Sequence, residues 1–245
     1  HSQGDLCGFA FAERGPGDVD SLRASLSAYG RISVHAPFIF VPLLTANPGI
    51  QREALRQVES CIQGIGSVGG TSCTIHLNGV PFWSAADVRA ASIRVLRRLG
   101  DTGAQHGVRI ALETGFPNDE DDYCSLIEKT DHPYVGACID TGHIFNYYAP
   151  ELRGTPAGVR THNDILNRII ARLGRKIAVC HLHDNRDHDF RDHRAPGRGI
   201  IDWKRALQTM NDADCNCPLL LELEETDLEA ALVEGKQHLL DRFPG

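Results

Sequence analysis

The sequence predicts an α/β protein, a TIM (β/α) barrel whose first strand is missing or atypical, and two observations carry that expectation. Short apolar runs of strand length alternate with longer segments whose apolar residues recur at helical spacing. That is the pattern of a parallel sheet with helices outside it. Six of the apolar runs also finish in His, Glu or Asp: at His35, His76, Glu113, Asp140, His181 and Glu222. A barrel gathers strand C-termini at one face, where the catalytic groups of such enzymes sit. A polar side chain ending a buried strand costs free energy unless it is satisfied, and function is a common reason to keep it.

The 245 residues match the size of one such barrel, so residues 1-245 are expected to form a single (β/α) barrel domain. Leu6 to Ala12 is a short apolar run suited to a strand, and Val19, Leu22 and Leu26 then recur at helical spacing within Asp18 to Tyr29. Arg31 to His35 is the next strand, ended by Ala36-Pro37. Gln51 to Gly64 reads as a helix through Leu55, Val58 and Ile62, and Ser72 to Leu77 as a strand. Ser84 is the N-cap of a helix reaching about Leu99, with Val88, Ile93, Leu96 and Leu99 inward. Val108 to Glu113 is a strand, and the acidic loop Asn118 to Asp122 suits the start of a helix that runs to about Glu128.

Val135 to Asp140 follows as a strand, Asp164 to Leu173 as a helix, and Ile177 into His181 as another strand. A long loop to Gly199 precedes a helix at Asp202 to Met210, a strand at Pro218 to Glu222 and a closing helix at Leu228 to Leu240. The strands number seven, one short of a closed barrel. An open edge calls for a partner, so a homo-oligomer is one expectation and a degenerate, ligand-binding barrel is another.

Hydrophobic content of 42% and charged content of 23% are those of a soluble globular protein. No apolar run reaches the roughly 20 residues needed to cross a bilayer. A net charge of −7 argues against a surface that collects nucleic-acid phosphates. Arg186, Arg191, Arg194 and Arg198 are interleaved with Asp184, Asp187, Asp189 and Asp192, as in a site loop. Arg89, Arg94, Arg97 and Arg98 read as a solvated helix face. Cys73, Cys138 and Cys180 fall in buried strands, which suits free thiols in a reducing cytoplasm; Cys215-Asn216-Cys217 reads as structural. The start, His1-Ser2-Gln3-Gly4, lacks the pattern of a signal peptide, and a cytoplasmic location is expected.

Asp140 and His143 are separated by two residues, so a strand end and its turn can present both to one point. Glu113, His181 and Glu222 arrive from other strand ends. Three carboxylates with one or two imidazoles suit Mn²⁺, Mg²⁺, Co²⁺, Fe²⁺ or Zn²⁺ rather than a metal that prefers thiolates.

These motifs resemble the xylose-isomerase-like TIM-barrel superfamily, which holds sugar isomerases and epimerases and the endonuclease IV DNA-repair enzymes. The resemblance runs from His35 to Glu222 and is most specific at Ile139-Asp140-Thr141-Gly142-His143, at His181-Leu182-His183-Asp184-Asn185 and at Asp192 to Trp203. It implies that Glu113, Asp140, His181 and Glu222 hold one divalent metal ion, that His35, His76, His143 and His193 face the substrate, and that Glu113 and Glu222 act as acid and base. The implied activity is a metal-dependent isomerisation or epimerisation of a small sugar or hydroxy-carbonyl compound.

The endonuclease branch uses positions like His35, His76, His143 and His193 for a second and third zinc ion. The alternative is therefore a multinuclear zinc phosphodiesterase acting on abasic-site DNA. Two departures separate the chain from both subgroups. Arg191 stands where the endonucleases have an aspartate, and Thr114-Gly115-Phe116-Pro117-Asn118-Asp119 follows Glu113 where ketose 3-epimerases have a proline and an Asn-Arg pair.

Overall fold

A computed structural model describes residues 14–186, 189 and 191–243. The run from Leu6 to Ala12, read as the first strand, lies outside the described residues. These form two compact units, one holding the described residues up to Pro117 with Ser125–Ala137, the other Asn118–Cys124 and the described residues from Cys138 on.

The first unit alternates helix and strand: α1 (Pro16–Leu26), β1 (Ser33–His35), α2 (Pro48–Ser67), β2 (Ser72–Ile75), α3 (Ala85–His106) and β3 (Arg109–Glu113). β1, β2 and β3 pair in parallel, with Val34 opposite Cys73 and Cys73 opposite Ile110. Helix α2 starts at Pro48 rather than Gln51, because Asn47 caps it by accepting the amides of Gly49 and Ile50. Helix α3 starts where expected, with Ser84 accepting the Asp87 amide, but it runs past Leu99 to His106. Gly100 and Gly103 disguise that last stretch in sequence, since glycine is a poor helix former. Gly103 is required by packing: a Cβ there would lie 2.3 Å from the Val108 carbonyl oxygen. The core between the α2 and α3 faces and the strands is built from Val58, Ile62, Ile65, Leu96, Leu99 and Ile110, all buried. Each such side chain contributes about 1.5–3 kcal/mol of burial.

Two elements straddle the units in sequence. Helix α4 (Glu120–Thr130) has three acidic residues in its first turn. Strand β4 (Val135–Asp140) begins in the first unit, where the Ile110 amide donates to the Tyr134 carbonyl at 2.8 Å, and ends in the second.

The second unit continues with a 3-10 turn at His143–Tyr147, α5 (Pro156–Leu173), β5 (Ile177–Leu182), α6 (Trp203–Asp212), β6 (Leu219–Leu221) and α7 (Leu228–Leu240). The end of β4 joins β5 through the Thr141 amide, 3.0 Å from the His181 carbonyl. β5 and β6 pair in parallel, with His181 opposite Leu220. Helix α5 begins at Pro156, not at Asp164: Thr155 caps it and Pro156 occupies its first turn. Its early turns bury His162, Asn163 and Asn167, polar residues that hide the apolar period. The core here is Ile139, Ile165, Leu166, Ile169, Val179 and Trp203.

The chain is thus the expected α/β fold with strands paired in parallel. Among the described residues no helix is long and apolar enough to cross a membrane. Every described cysteine is a free thiol, and Cys73, Cys138 and Cys180 are buried as expected.

Candidate metal centre

In the first unit, three strand ends bring His35, His76 and Glu113 together, each offering one ligand atom within 4.8 Å of the others. His35 Nδ1 lies 2.7 Å from the Ala36 carbonyl, an acceptor only, so this nitrogen carries the hydrogen and donates it. The lone pair of His35 is therefore on Nε2. That atom faces Glu113 Oε2 at 3.1 Å and His76 Nε2 at 3.0 Å, and His76 Nε2 is 2.9 Å from the same oxygen. Electron-rich atoms packed this closely call for a positive charge among them. Phe38 closes the group from outside, its ring 4.6 Å from that of His76 and 5.0 Å from that of His35.

In the second unit, Asp140, His181 and Glu222 place ligand atoms within 4.8 Å of one another. His181 Nδ1 lies 2.7 Å from Glu222 Oε2, although Glu222 stands one residue past β6. Asp140 is fully buried, and its Oδ1 accepts the amides of Gly142 at 2.9 Å and His143 at 2.8 Å. The His143 ring is 3.8 Å from Asp140 Oδ1 and stands edge-on to His193, 6.1 Å between centroids. His193 Nδ1 lies 3.2 Å from Asp192. Burial pulls the His193 pKa down, but the Asp192 hydrogen bond and the charges of Asp140, Asp192 and Glu222 outweigh it, raising it to about 9. The same contact holds Asp192 below the usual carboxylate range.

The long loop after β5 is organised by Asp184. Its carboxylate accepts from the Asn185 and Ile201 amides on Oδ1 and from the Gly197 amide and Trp203 Nε1 on Oδ2. Burial nevertheless raises its pKa against those four donors. Gly199 must lack a side chain, because a Cβ would come 2.0 Å from the Asn185 carbonyl oxygen. Three of the loop's arginines are paired: Arg186 with Asp189, Arg194 with Glu225 at 2.9 Å, and Arg198 with Glu225 at 3.1 Å and with Glu234. The Glu224 amide donates to the His193 carbonyl, which ties the loop to the segment carrying Glu222.

Oxygen and imidazole donors of this kind, with lone pairs converging at the ends of buried strands, fit a divalent cation. A family model described as "xylose isomerase-like TIM barrel" matches residues 5–242. The chain belongs to that family. No curated protein sequence matches it.

Among solved structures, a D-tagatose 3-epimerase-like protein is similar at 18% identity and TM-score 0.76, covering 98% of this chain and 86% of its own. The IOLI protein with a bound zinc atom matches at 16% identity and TM-score 0.68, over 93% of this chain and 83% of its own. D-allulose 3-epimerase from Methylomonas sp., in complex with D-allulose, matches at 16% identity and TM-score 0.69, over 92% and 82%. These likenesses establish the fold.

Sequence reasoning placed all eight candidate residues at strand ends or the loops that follow them: His35, His76 and Glu113 in the first unit, and Asp140, His143, His181, His193 and Glu222 in the second. It assigned no role to His183, Thr141 or His162. His183 is fully buried and Thr141 Oγ1 accepts its amide at 3.1 Å. His162 Nε2 lies 2.9 Å from the Thr141 carbonyl, and burial lowers its pKa to about 4. The signal available for His183 was its spacing of two from His181, which puts the two on the same face of an extended chain.

Proposed function

We propose that the chain is a divalent-metal-dependent isomerase or epimerase of a small sugar or hydroxy-carbonyl compound. The observation that carries the reading is Glu222 Oε2 held 2.7 Å from the His181 ring nitrogen, with Asp140 beside them. Glu113, Asp140, His181 and Glu222 are the proposed ligands. Family membership and the epimerases among its structural relatives support the reaction class. A bound ion would polarise a carbonyl and its adjacent hydroxyl, acidifying the C–H bond between or beside them.

The chain's own groups then do the rest. The carboxylates of Glu113 and Glu222 remove and return the proton, which suits groups that hold charge without thiol chemistry. His35, His76, His143 and His193 orient the substrate's hydroxyls, and Phe38 shields the first-unit cluster from water. We also propose that residues 1-245 form one barrel domain, and the buried free thiols support a reducing, cytoplasmic setting.

The test is deuterium exchange. The protein loaded with Mn²⁺, Co²⁺ or Zn²⁺ is incubated in D₂O with a panel of ketoses and hydroxy-ketones, and NMR follows label entering at carbon beside the carbonyl. Exchange with at least one compound, lost in Glu222→Gln, is expected. Absence of exchange with every compound and metal overturns the reading.

One observation favours a second reading, the multinuclear zinc phosphodiesterase. His35, His76 and Glu113 form a group of their own, as do Asp140, His183 and His193. Cleavage of abasic-site DNA that chelator abolishes would establish it; the net charge of −7 counts against it.

A further inference from the structure

His183 lies two residues beyond His181, and the proton transfer and metal ligation of the isomerase reading do not use it. Its side chain is fully buried. Its ring is held on both edges. Nδ1 accepts the backbone amide of His193 at 2.9 Å, so Nδ1 carries the lone pair and the ring hydrogen resides on Nε2. Nε2 lies 2.9 Å from both oxygens of Asp140 and donates between them. The ring also stacks on the His193 ring, centroids 4.2 Å apart and planes 11° from parallel.

Two further features accompany this ring. Gly142 passes so close that a Cβ there would come 2.0 Å from His183 Cε1. His193 adopts a left-handed φ of 55°, a conformation uncommon outside glycine, and from it presents the amide to His183.

We propose that His183 is a positioning residue for Asp140. Together with the Gly142 and His143 amides it locks the carboxylate's rotation, and it ties that orientation to the loop bearing His193. The inference rests on Asp140 being a metal ligand, as proposed above. A ligating carboxylate that is held by hydrogen bonds loses no rotational freedom on binding its ion, and removing such outer contacts costs about 10- to 100-fold in metal affinity.

Two substitutions separate the ring's two edges. His183→Asn keeps an acceptor near the Nδ1 position and removes the donor to Asp140; His183→Gln keeps a donor near the Nε2 position. Cobalt(II) affinity is measured by visible absorption in competition with a chelator, with thermal melts of the metal-free proteins run alongside. The expected result is a loss of about 10- to 100-fold for His183→Asn and a much smaller loss for His183→Gln. His183→Asn that melts as a folded protein and binds cobalt as tightly as the parent overturns the inference alone. A parent that binds no cobalt overturns the metal reading and this inference with it.

Should His183→Asn not fold, ¹⁵N NMR of the parent's imidazoles decides. A His183 ring protonated on Nε2 only, with its N–H shielded from exchange, supports the proposal. A hydrogen on Nδ1 in place of Nε2 contradicts it.

Discussion

Glu113 and Asp140 both end buried strands, yet their surroundings differ in kind. Glu113 Oε2 meets ring nitrogens of His35 and His76, which also face each other at 3.0 Å. Asp140 instead accepts from N–H donors, two backbone amides and the His183 ring. The first is a cluster of converging nitrogen and oxygen atoms. The second is a carboxylate already aimed before any ion arrives. A metal site needs both properties, attraction and preorganisation, and each unit shows one of them.

The largest expected effect bears on the two carboxylates proposed as acid and base. Glu113→Gln and Glu222→Gln should each lower kcat by about 10²- to 10⁴-fold, the usual weight of a general acid or base, with the fold retained by circular dichroism. A loss confined to one of them would break the pairing of the two carboxylates.

The next effect belongs to the second unit alone. Unfolded histidine takes up a proton near pH 6.5, whereas folded His162 does so only near 4 because burial disfavours its charged form. Below pH 6.5 the unfolded chain therefore binds the extra proton. Stability should fall as pH drops from 6.5 to 4, by about 3 kcal/mol from this residue, and stay level above that window. Urea unfolding across the range, flattened in His162→Gln, is the check; an unchanged slope in that variant would remove His162 as the cause.

A smaller change distinguishes the roles of the two clusters. His35→Ala and His76→Ala should raise KM and leave the number of bound ions unchanged. Loss of one equivalent of metal in either variant, read by elemental analysis, would move the first-unit cluster from substrate contact to ligation. The smallest effect is a control on the arginine face of α3. Arg98, which bridges to Glu59 at 2.6 Å and is half exposed, should cost no more than about 1 kcal/mol when replaced by alanine.

Much of this was legible in the chain itself. The strands could be read because parallel strands are apolar on both faces, and the polar residue ending each one then stands out. Helix starts were less visible: Thr155 and Pro156 look like loop residues, and the buried His162, Asn163 and Asn167 interrupt the apolar period of α5. The end of α3 was hidden by glycines that serve packing. His183 could be seen in its motif, but which way its ring points depends on the His193 amide, ten residues along a loop whose course Asp184 decides. Sequence spacing shows which residues reach a strand end. Only the structure shows which nitrogen is left to donate.

The most direct test of the account is the metal content of the purified protein after loading and dialysis, by elemental analysis. The account predicts about one Mn²⁺, Co²⁺, Fe²⁺, Mg²⁺ or Zn²⁺ per chain, reduced in Asp140→Asn. No stoichiometric ion would contradict it outright. Two or three tightly held zinc ions would contradict the isomerase reading and turn the search to phosphodiesters.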